Sequence, residues 1–431
     1  MFQKVIQIFK IRDLRNKILF VLGILAIFRL MANIPIPGVS AEDLRIFFEQ
    51  FKMFGLLNIF TGGSMDKLSI GMLGLGPYIT AVIILQLLTM IFPQLERVYR
   101  EEGEAGRQKF NQYGRILTVP LAMLQGYAML TLFQRQGVIR PLSPILLFTS
   151  ILTITAGALF LMWLGELISE KGIGDGVSLL IFAGIVSAIP MSILQAYSDL
   201  TNPVRTPETP GIPAYLLFFG MALLIIAGVV LINEARRNIP VSYAKRVRGT
   251  KMYGGVSTFL PLSVNPAGVM PIIFALSILT FPGMIANFFI GSGGVIGNIA
   301  QSISSFLQNP SVYGILYFLL VVIFVYFYTA VTFDPKTVSE NLQKMGGFVP
   351  GIRPGTSTAN HLSYILNRVL LIGALFLGVI AVMPSIVGGI TKVMVFQFLI
   401  GGTSLLIVVS VVLETIRQIN AQLQMREYET I

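Results

Sequence analysis

The sequence predicts an all-α polytopic membrane protein with ten transmembrane helices in two pseudo-symmetric, inverted halves of five. Three observations predict this class. Of the 431 residues, 54% are hydrophobic and only 12% are charged, with a mean hydropathy of +0.78, whereas a soluble domain carries about 25% charged residues. Apolar stretches close to the roughly 20 residues of a helical span recur along the chain. Lysine and arginine concentrate in alternate connections between these stretches.

Ten apolar stretches are the predicted spans. They run over 18–36, 71–92, 115–134, 147–168, 177–197, 213–233, 266–287, 312–333, 367–386 and 396–416. If the N-terminus is placed in the cytoplasm, 23 of the 31 lysines and arginines fall in inner segments and 7 fall in outer ones. Because positive charge is retained on the inner side, we expect both termini to be cytoplasmic.

A proline-rich segment divides the chain into two halves. The stretch SDLTNPVRTPETPG (198–211) has no apolar run, which is typical of a semi-stiff linker. Since each half holds an odd number of spans, the second half must be inverted relative to the first. Residues 1–17 are predicted to be an amphipathic segment on the inner membrane surface and not a cleavable signal. The first half then comprises 18–197, followed by an external hinge at 198–212. The second half comprises 213–419, with long cytoplasmic loops at 234–265 and 334–366, and residues 420–431 form a cytoplasmic tail.

Several classes of chemistry are excluded by residues that the sequence lacks. It contains no cysteine and a single histidine, His361, so neither a disulfide framework nor a Cys- or His-based metal site is expected. There is no GxSxG elbow and no P-loop. Glu166, Glu170 and Asp175 flank the short turn GIGDG. We therefore predict no catalytic residues, no metal and no cofactor.

The second and seventh predicted spans are both irregular. The glycine-rich stretch IFTGGSMDKLSIGMLGLGPYI (59–79) runs into the second span, and the seventh opens with VNPAGVMP (264–271) and contains FPG (281–283). In inverted-repeat membrane proteins, interrupted segments at matching positions of the two halves mark the functional path. Glycine and proline are also frequent in ordinary membrane helices, so the pattern alone leaves both interpretations open.

The centres of the second, fifth, seventh and tenth spans contain no ionisable residue. Isoleucines recur there one turn apart, as at Ile79 and Ile83 and at Ile181 and Ile185. Such pairs suit helix packing or lipid contact as well as the lining of an apolar pore.

Positive charge gathers in two long inner loops, 233–265 and 333–363, together with aromatic residues and the turn-forming VPGIRPG. Attraction to anionic lipid explains the charge. Loops of this length also favour a docking surface for a large partner, either an acidic protein or structured RNA.

Seven stretches occur in order along most of the chain. They are ANIPIPG (32–38), LGPYITAVIILQLLT (75–89), FLMWLGELISEKGIGDGVSLLIFAGIV (160–186), YAKRVRG (243–249), LPLSVNPAGVMPIIFA (260–275), FVPGIRPG (348–355) and GGTSLLIVV (401–409). No single motif suffices, but the ordered set is highly specific: with it the chain resembles the SecY family of bacterial protein-translocation channel subunits.

The resemblance implies a clamshell of two five-helix halves around an hourglass pore. Its waist would be a ring of aliphatic side chains, Ile79, Ile83, Ile181, Ile185, Ile273 and Ile407. A plug, a short helix at about 57–71, would close the pore from outside; its residues include Ile59, Phe60, Gly62, Gly63, Asp66, Lys67, Leu68 and Ile70. A turn-rich outer loop would explain the glycines equally well.

The second and seventh spans would form a lateral gate towards the lipid, with Gln86 and Asn265 hydrogen-bonded across the closed seam, unless Gln86 faces another helix. The cytoplasmic loops would dock the motor ATPase SecA or a translating ribosome through Lys245, Arg246, Arg248, Lys251 and Arg353. The resemblance further implies the partner subunits SecE and SecG, signal sequences and unfolded secretory or membrane polypeptides as clients, contact with anionic lipid, no DNA, and a place in the bacterial cytoplasmic (inner) membrane.

Two other functions remain open from the sequence. A secondary transporter built from inverted repeats would need a midplane site with charged side chains or unwound backbone, and the isoleucine pairs argue against it. A membrane scaffold without a conduit would need no pore at all.

Overall fold

Thirteen helices and five short strands make up the part of the chain that the computed structural model describes. That part comprises residues 11–36, 61, 63–65, 67–100, 103–135, 137, 139, 141–201, 211–243, 246–248, 251–253, 257–289, 294–391 and 403–429. The first half contains α1 (Arg12–Met31), α2 (Gly76–Ile91), α3 (Pro93–Arg100), α4 (Gly103–Arg135), α5 (Pro144–Lys171) and α6 (Gly176–Thr201). The second half contains α7 (Ile212–Glu234), β1 (Arg236–Tyr243), β2 (Arg246–Arg248), β3 (Lys251–Tyr253), β4 (Ser257–Ser263), α8 (Met270–Phe289), α9 (Gly294–Gln308), α10 (Pro310–Thr332), α11 (Pro335–Lys344), β5 (Gly347–Phe348), α12 (Thr356–Thr391) and α13 (Thr403–Glu429).

Each predicted span overlaps one of these helices, but the helices differ from the spans in length. Seven of the described helices are long and apolar enough to cross a membrane, namely α4, α5, α6, α7, α10, α12 and α13. The helices α2 and α3 meet at a bend of 116° and would together give an eighth span. The count of ten spans therefore stays a prediction, while the multi-span helical class is confirmed.

Polar side chains followed by proline start several helices. Ser143 Oγ accepts a hydrogen bond from Leu146 N at 3.4 Å just before Pro144, and Asn309 Oδ1 accepts one from Ser311 N at 3.1 Å just before Pro310. The capping oxygen satisfies an otherwise unpaired N–H, and proline fits the first turn because its missing N–H is not needed there. These caps fix where the helices α5 and α10 begin.

The outward surfaces of the long helices are apolar. On α7 and α10 the exposed side chains include Leu216, Leu223, Leu224, Ile315 and Ile323. A surface of this kind is stable against hydrocarbon and unstable in water. The helices therefore present lipid-facing sides, in agreement with the predicted membrane class.

Between α7 and α12 the chain folds into a small β structure that the sequence analysis treats as loop. β1 lies between β4 and β5 in an antiparallel sheet, with Ile239 opposite Leu260, and β2 pairs with β3 in a separate ribbon. Pro240 is tolerated in the middle strand because β5 pairs only with Ser242 and Tyr243, so one side of Pro240 is free of ladder bonds.

A small apolar core joins this sheet to the helix α12. It contains Ile239, Leu262, Val349 and Leu362, all buried, with Ile352 packed against them. Residues from both predicted cytoplasmic loops contribute to it. The two loops therefore form one folded body at the end of the bundle, which we call the sheet platform (236–243, 257–263 and 347–355).

Candidate functional site

The isoleucines singled out in the sequence come together where the two halves touch. At this boundary α2 contacts α8, and α6 contacts α13. Ile79 is half-buried against one large apolar cluster, and the other five are buried within it. We call it the isoleucine cluster, although it also contains aromatic side chains such as Phe274 and Tyr317. The five buried isoleucines are Ile83, Ile181, Ile185, Ile273 and Ile407. Their side chains offer neither charge nor hydrogen bonds, so a constriction made of them would exclude ions by staying dry.

The segment that precedes α2 is tied to the chain that follows α1. Ile36 N donates to Leu68 O at 2.8 Å, and Ile70 N donates to Ile34 O at 3.0 Å. Lys67 Nζ donates to Asn33 Oδ1 at 2.5 Å. These bonds make a short antiparallel pairing that holds the described residues 67–70 in place. We call residues 63–65 and 67–75 the anchor segment.

The anchor segment packs mainly on α4 and α5. Its buried side chains Met65, Leu68, Met72 and Leu73 belong to a cluster with residues of those two helices, whereas Ile70 reaches the isoleucine cluster. Leu68 is buried in a left-handed conformation with φ +42°, which costs about 1–2 kcal/mol for a residue with a Cβ. Packing therefore imposes this turn.

The plug expected at about 57–71 is only partly covered by the described residues. Gly63, Lys67, Leu68 and Ile70 lie in turns and bends, not in the expected short helix, and Ser69 between them forms an isolated bridge with Pro35. Gly63 takes φ +77°, as a glycine hinge would. Four plug residues of the prediction lie outside the described residues, namely Ile59, Phe60, Gly62 and Asp66.

The polar pair expected at the seam does not bond across it. Asn265 Nδ2 donates to Asn233 Oδ1 at 2.9 Å and to Gly268 O at 3.1 Å. Gln86 is half-buried, and within the described chain its Oε1, like Oδ1 of Asn265, has no hydrogen-bond partner. The predicted hydrogen bond between the two is thus not formed, because the turn at Gly268 aims the amide of Asn265 at α7.

Asn233 and Ser410 are polar residues of this region that the sequence analysis missed. Asn233 Nδ2 donates to Ser410 Oγ at 2.7 Å, so one chain of bonds joins the segment before α8 to the end of α7 and to the first half of α13. Next to it, Arg417 donates to Glu234 Oε1 at 2.5 Å and to Asn233 O at 2.8 Å. Polar residues at the inner ends of apolar spans were the available indication, but the spacing along the sequence does not show which of them meet.

Those predicted docking residues that the structure describes lie at the end of the bundle that carries the sheet platform. Arg353 is exposed at the tip of a turn whose glycines, Gly351 and Gly355, have φ of +82° and +98°. Thr358 Oγ1 donates to Arg353 O at 2.9 Å, and Val349 anchors the turn in the platform core. The side chain of Arg353 is therefore presented to solvent on a fixed backbone.

Three other predicted docking cations lie in the β2–β3 ribbon. Arg246 and Arg248 belong to β2, and Arg248 pairs in register with Lys251 of β3. Lys245 lies outside the described residues.

Comparison with known proteins agrees with this architecture. A family model described as SecY matches residues 69–416. A protein translocase subunit SecY of Mycobacterium bovis is 42% identical, covering 97% of this chain and 96% of that protein, and one of Streptomyces coelicolor is 42% identical, covering 98% and 97%.

Two solved structures have a similar fold. The first, described as the structure of a protein conducting channel, has a TM-score of 0.65 at 20% identity and covers 93% of this chain and 91% of that one. The second, Sec61 in a canine ribosome-channel complex from the endoplasmic reticulum, has a TM-score of 0.62 at 20% identity with the same coverage. At that identity the likeness concerns the fold, whereas the family follows from the near-full-length relatives: the chain belongs to the SecY family.

Proposed function

We propose that this chain is the channel subunit of a protein translocase: a passive conduit, not an enzyme, through which unfolded polypeptides cross the membrane or pass sideways into the lipid. The observation that carries the proposal is the isoleucine cluster, which extends across both halves and to which α2, α6, α8 and α13 all contribute isoleucine. β-branched side chains are stiff and uncharged, so they can close around a chain of any sequence without holding ions. An external motor ATPase or a ribosome would supply the energy.

The hinge at 198–212 and the inverted relation of the halves 18–197 and 213–419 belong to this proposal. Separation of the halves would pull α2 from α8 and α6 from α13, which are the contacts that bury the isoleucines. The seam between α2 and α8 would then be the lateral gate. Gln86 supports this role because its buried, unpaired Oε1 leaves the closed seam less stable than a fully bonded one.

The plug would lie at about 57–71, so that its later residues belong to the anchor segment. Residues 67–70 are hydrogen-bonded to residues 33–36, and the anchor segment packs on α5. These contacts support different roles for the two parts of the plug. The anchor segment would stay seated on the first half while the earlier residues move out of the path. Ile70 would connect the two, since it packs against the isoleucine cluster.

SecA or a ribosome would dock on the sheet platform and the β2–β3 ribbon, with Arg353, Arg246, Arg248, Lys251 and Lys245 as the contacts. Exposed arginine suits carboxylates and phosphates alike. Ribosome-bound Sec61 shares the fold. We further propose SecE and SecG as partner subunits, signal sequences and unfolded polypeptides as clients, contact with anionic lipid, and a bacterial cytoplasmic membrane with both termini inside.

Cysteine crosslinking tests the conduit directly. The chain has no cysteine of its own, so the variants Ile83→Cys and Leu224→Cys each carry a single thiol, the first in the isoleucine cluster and the second on the exposed side of α7. The complete translocase would be reconstituted with a secretory precursor that is arrested by a folded C-terminal domain and has one cysteine in the arrested stretch. Crosslinks at position 83 and none at position 224 are expected. The reverse pattern would favour a scaffold without a conduit.

A further inference from the structure

The helix α9, which joins α8 to α10, has a surface that the conduit does not use. It is 15 residues long, about 22 Å, and cannot cross a hydrocarbon core of about 30 Å. Its sequence GVIGNIAQSISSFLQ has no charged residue. α8 follows β4 after the short segment 264–269, and α10 leads into α11 and then β5. α9 therefore lies at the end of the bundle opposite the sheet platform.

Three different faces run along α9, each about a third of its circumference at 100° per residue. One face packs on the protein: Ala300 and Ser304 are buried, and Leu307 contacts the isoleucine cluster. Of the two exposed faces, one is an apolar ridge and the other is polar. The ridge consists of Val295, Ile299, Ile303 and Phe306, and the polar face of Asn298, Gln301, Ser302 and Ser305.

The separation of these exposed faces indicates a boundary between two solvents. Val295 is 75% exposed and Phe306 is 56% exposed. Keeping apolar surface in water costs about 25 cal/mol of free energy for each Å². On the polar face, Ser302 Oγ donates to Asn298 O at 2.9 Å and Ser305 Oγ donates to Ser302 O at 3.0 Å. Their hydroxyl groups are thus already paired at the edge of an apolar medium.

The apolar surface of α10 indicates which medium covers the ridge. Asn309 is the only residue between the two helices, and α10 then exposes Ile315, Leu319 and Ile323 at intervals of one turn. In a spanning helix such a stripe faces lipid chains. The ridge extends this lipid-facing surface from α10 across Asn309 onto α9. We propose that α9 is an interfacial anchor: its apolar ridge inserts into the lipid of the leaflet opposite the sheet platform, and its polar face stays in water.

The absence of charge sets the kind of lipid. Interfacial helices that select anionic membranes carry lysine or arginine on their polar face, and α9 has none. Its insertion is therefore driven by apolar burial alone, and zwitterionic and anionic lipids serve equally. Since α9 directly follows α8, this anchor would fix the depth of that end of α8 while the seam with α2 opens.

Depth-dependent quenching tests the anchor. Ile299→Cys and Gln301→Cys place single thiols on the two exposed faces only two residues apart. Each variant would be labelled with an environment-sensitive fluorophore and reconstituted, with its partner subunits, into phosphatidylcholine vesicles with or without phosphatidylglycerol. Lipids carrying a nitroxide on the acyl chain should quench the label at 299, and aqueous iodide the label at 301. Iodide quenching constants should differ by roughly threefold or more, irrespective of phosphatidylglycerol.

Three outcomes would overturn the proposal. Equal iodide quenching at both positions would mean that the ridge lies in water. A label at 299 shielded from both quenchers would mean that a protein subunit covers the ridge. Quenching that requires phosphatidylglycerol would mean recognition of anionic headgroups. Ile303→Cys, on the same ridge, repeats the measurement if the label at 299 disturbs folding. Translocation by the unlabelled variants, measured in parallel, keeps a failed anchor distinct from a failed conduit.

Discussion

The backbone N–H of Gly174 donates a hydrogen bond to Oε1 of Gln418 at 2.7 Å. Gly174 lies in the turn between α5 and α6, in the first half, and Gln418 lies near the end of α13, in the second. The turn requires glycine at this position, since φ is +94° and a Cβ would come within 2.9 Å of Leu179 Cδ1. One side chain of the second half thus holds the backbone of the first, at the end where the sheet platform lies.

Replacing Gln418 by alanine should loosen this attachment. The partly buried N–H of Gly174 would lose its acceptor, at a cost of about 0.5–1.5 kcal/mol. Local opening of the turn at 172–176 would then become about two- to tenfold more frequent. Amide hydrogen exchange of the peptide that contains Gly174, followed by mass spectrometry on the purified complex in detergent, measures this change.

Gln424→Ala is the matched control for the Gln418 variant. Gln424 lies on the same helix and is exposed, so its loss should leave exchange at Gly174 as in the parent protein. Equal exchange in all three proteins would show that the bond to Gln418 contributes nothing to holding the two halves together.

Adding a methyl group at Gly157 should displace the anchor segment. A Cβ at this position of α5 would lie 2.0 Å from Ile70 O and 2.8 Å from Ile70 C, and backbone atoms cannot turn away as a side chain does. Overpacking of this kind costs about 1–3 kcal/mol. We expect Gly157→Ala to shift residues 67–73 and raise the resting ion leak, measured as conductance across planar bilayers.

Gly220→Ala gives the control for this leak measurement. Gly220 lies on the membrane helix α7, and no atom of the described residues lies within 4 Å of the Cβ that it would gain. Its leak should match that of the parent protein. If Gly157→Ala leaks no more than Gly220→Ala, the seat on α5 does not keep the channel closed.

The long helices were predictable because the local sequence is enough to identify a membrane span: about 20 apolar residues with cations on one side. Helix ends were less so. α13 continues to Glu429, well past the predicted end of the span at 416, because a helix outside the hydrocarbon region no longer needs apolar residues. The sheet platform was missed for a different reason. Ile239 and Val349 lie far apart in the sequence, and the core between them exists only once both loops fold together.

The candidate site divides in the same way. One-turn spacing marks Ile79, Ile83, Ile181 and Ile185, and the family motifs alone mark Ile273 and Ile407. The structure brings all six into one cluster, while their role as a pore ring stays a prediction. The Gln86–Asn265 bond failed because a side-chain amide has several acceptors in reach, and the turn at Gly268 selects Asn233. No pattern in the sequence indicates that choice, since Asn233 lies on another helix, α7, 32 residues earlier.

Placing an amide in the isoleucine cluster should make the closed state leak. Ile407 is fully buried in this cluster of apolar side chains. An asparagine there would leave an amide without adequate partners, at a cost of about 1–3 kcal/mol. Water drawn in to satisfy it would wet the constriction. Ile407→Asn should therefore raise resting conductance in planar bilayers. Ile407→Val, which removes one methylene and adds no polar group, should keep the resting conductance of the parent protein. Similar conductance in the two variants would count against a role for this cluster in the seal.

Reversing the charge of Arg353 should abolish motor-driven translocation while the protein still folds and inserts. The side chain is exposed and its turn is held by Val349 and Thr358, so the substitution leaves the platform intact. Each charge-assisted hydrogen bond lost with a partner is worth about 1.5–3 kcal/mol, which weakens docking roughly tenfold or more. Lys336→Glu changes the net charge equally at an exposed position in the first turn of α11, where a carboxylate suits the helix N-terminus. SecA binding and precursor import into proteoliposomes should fall for Arg353→Glu and persist for Lys336→Glu; equal loss in both would reduce the role of Arg353 to general positive charge.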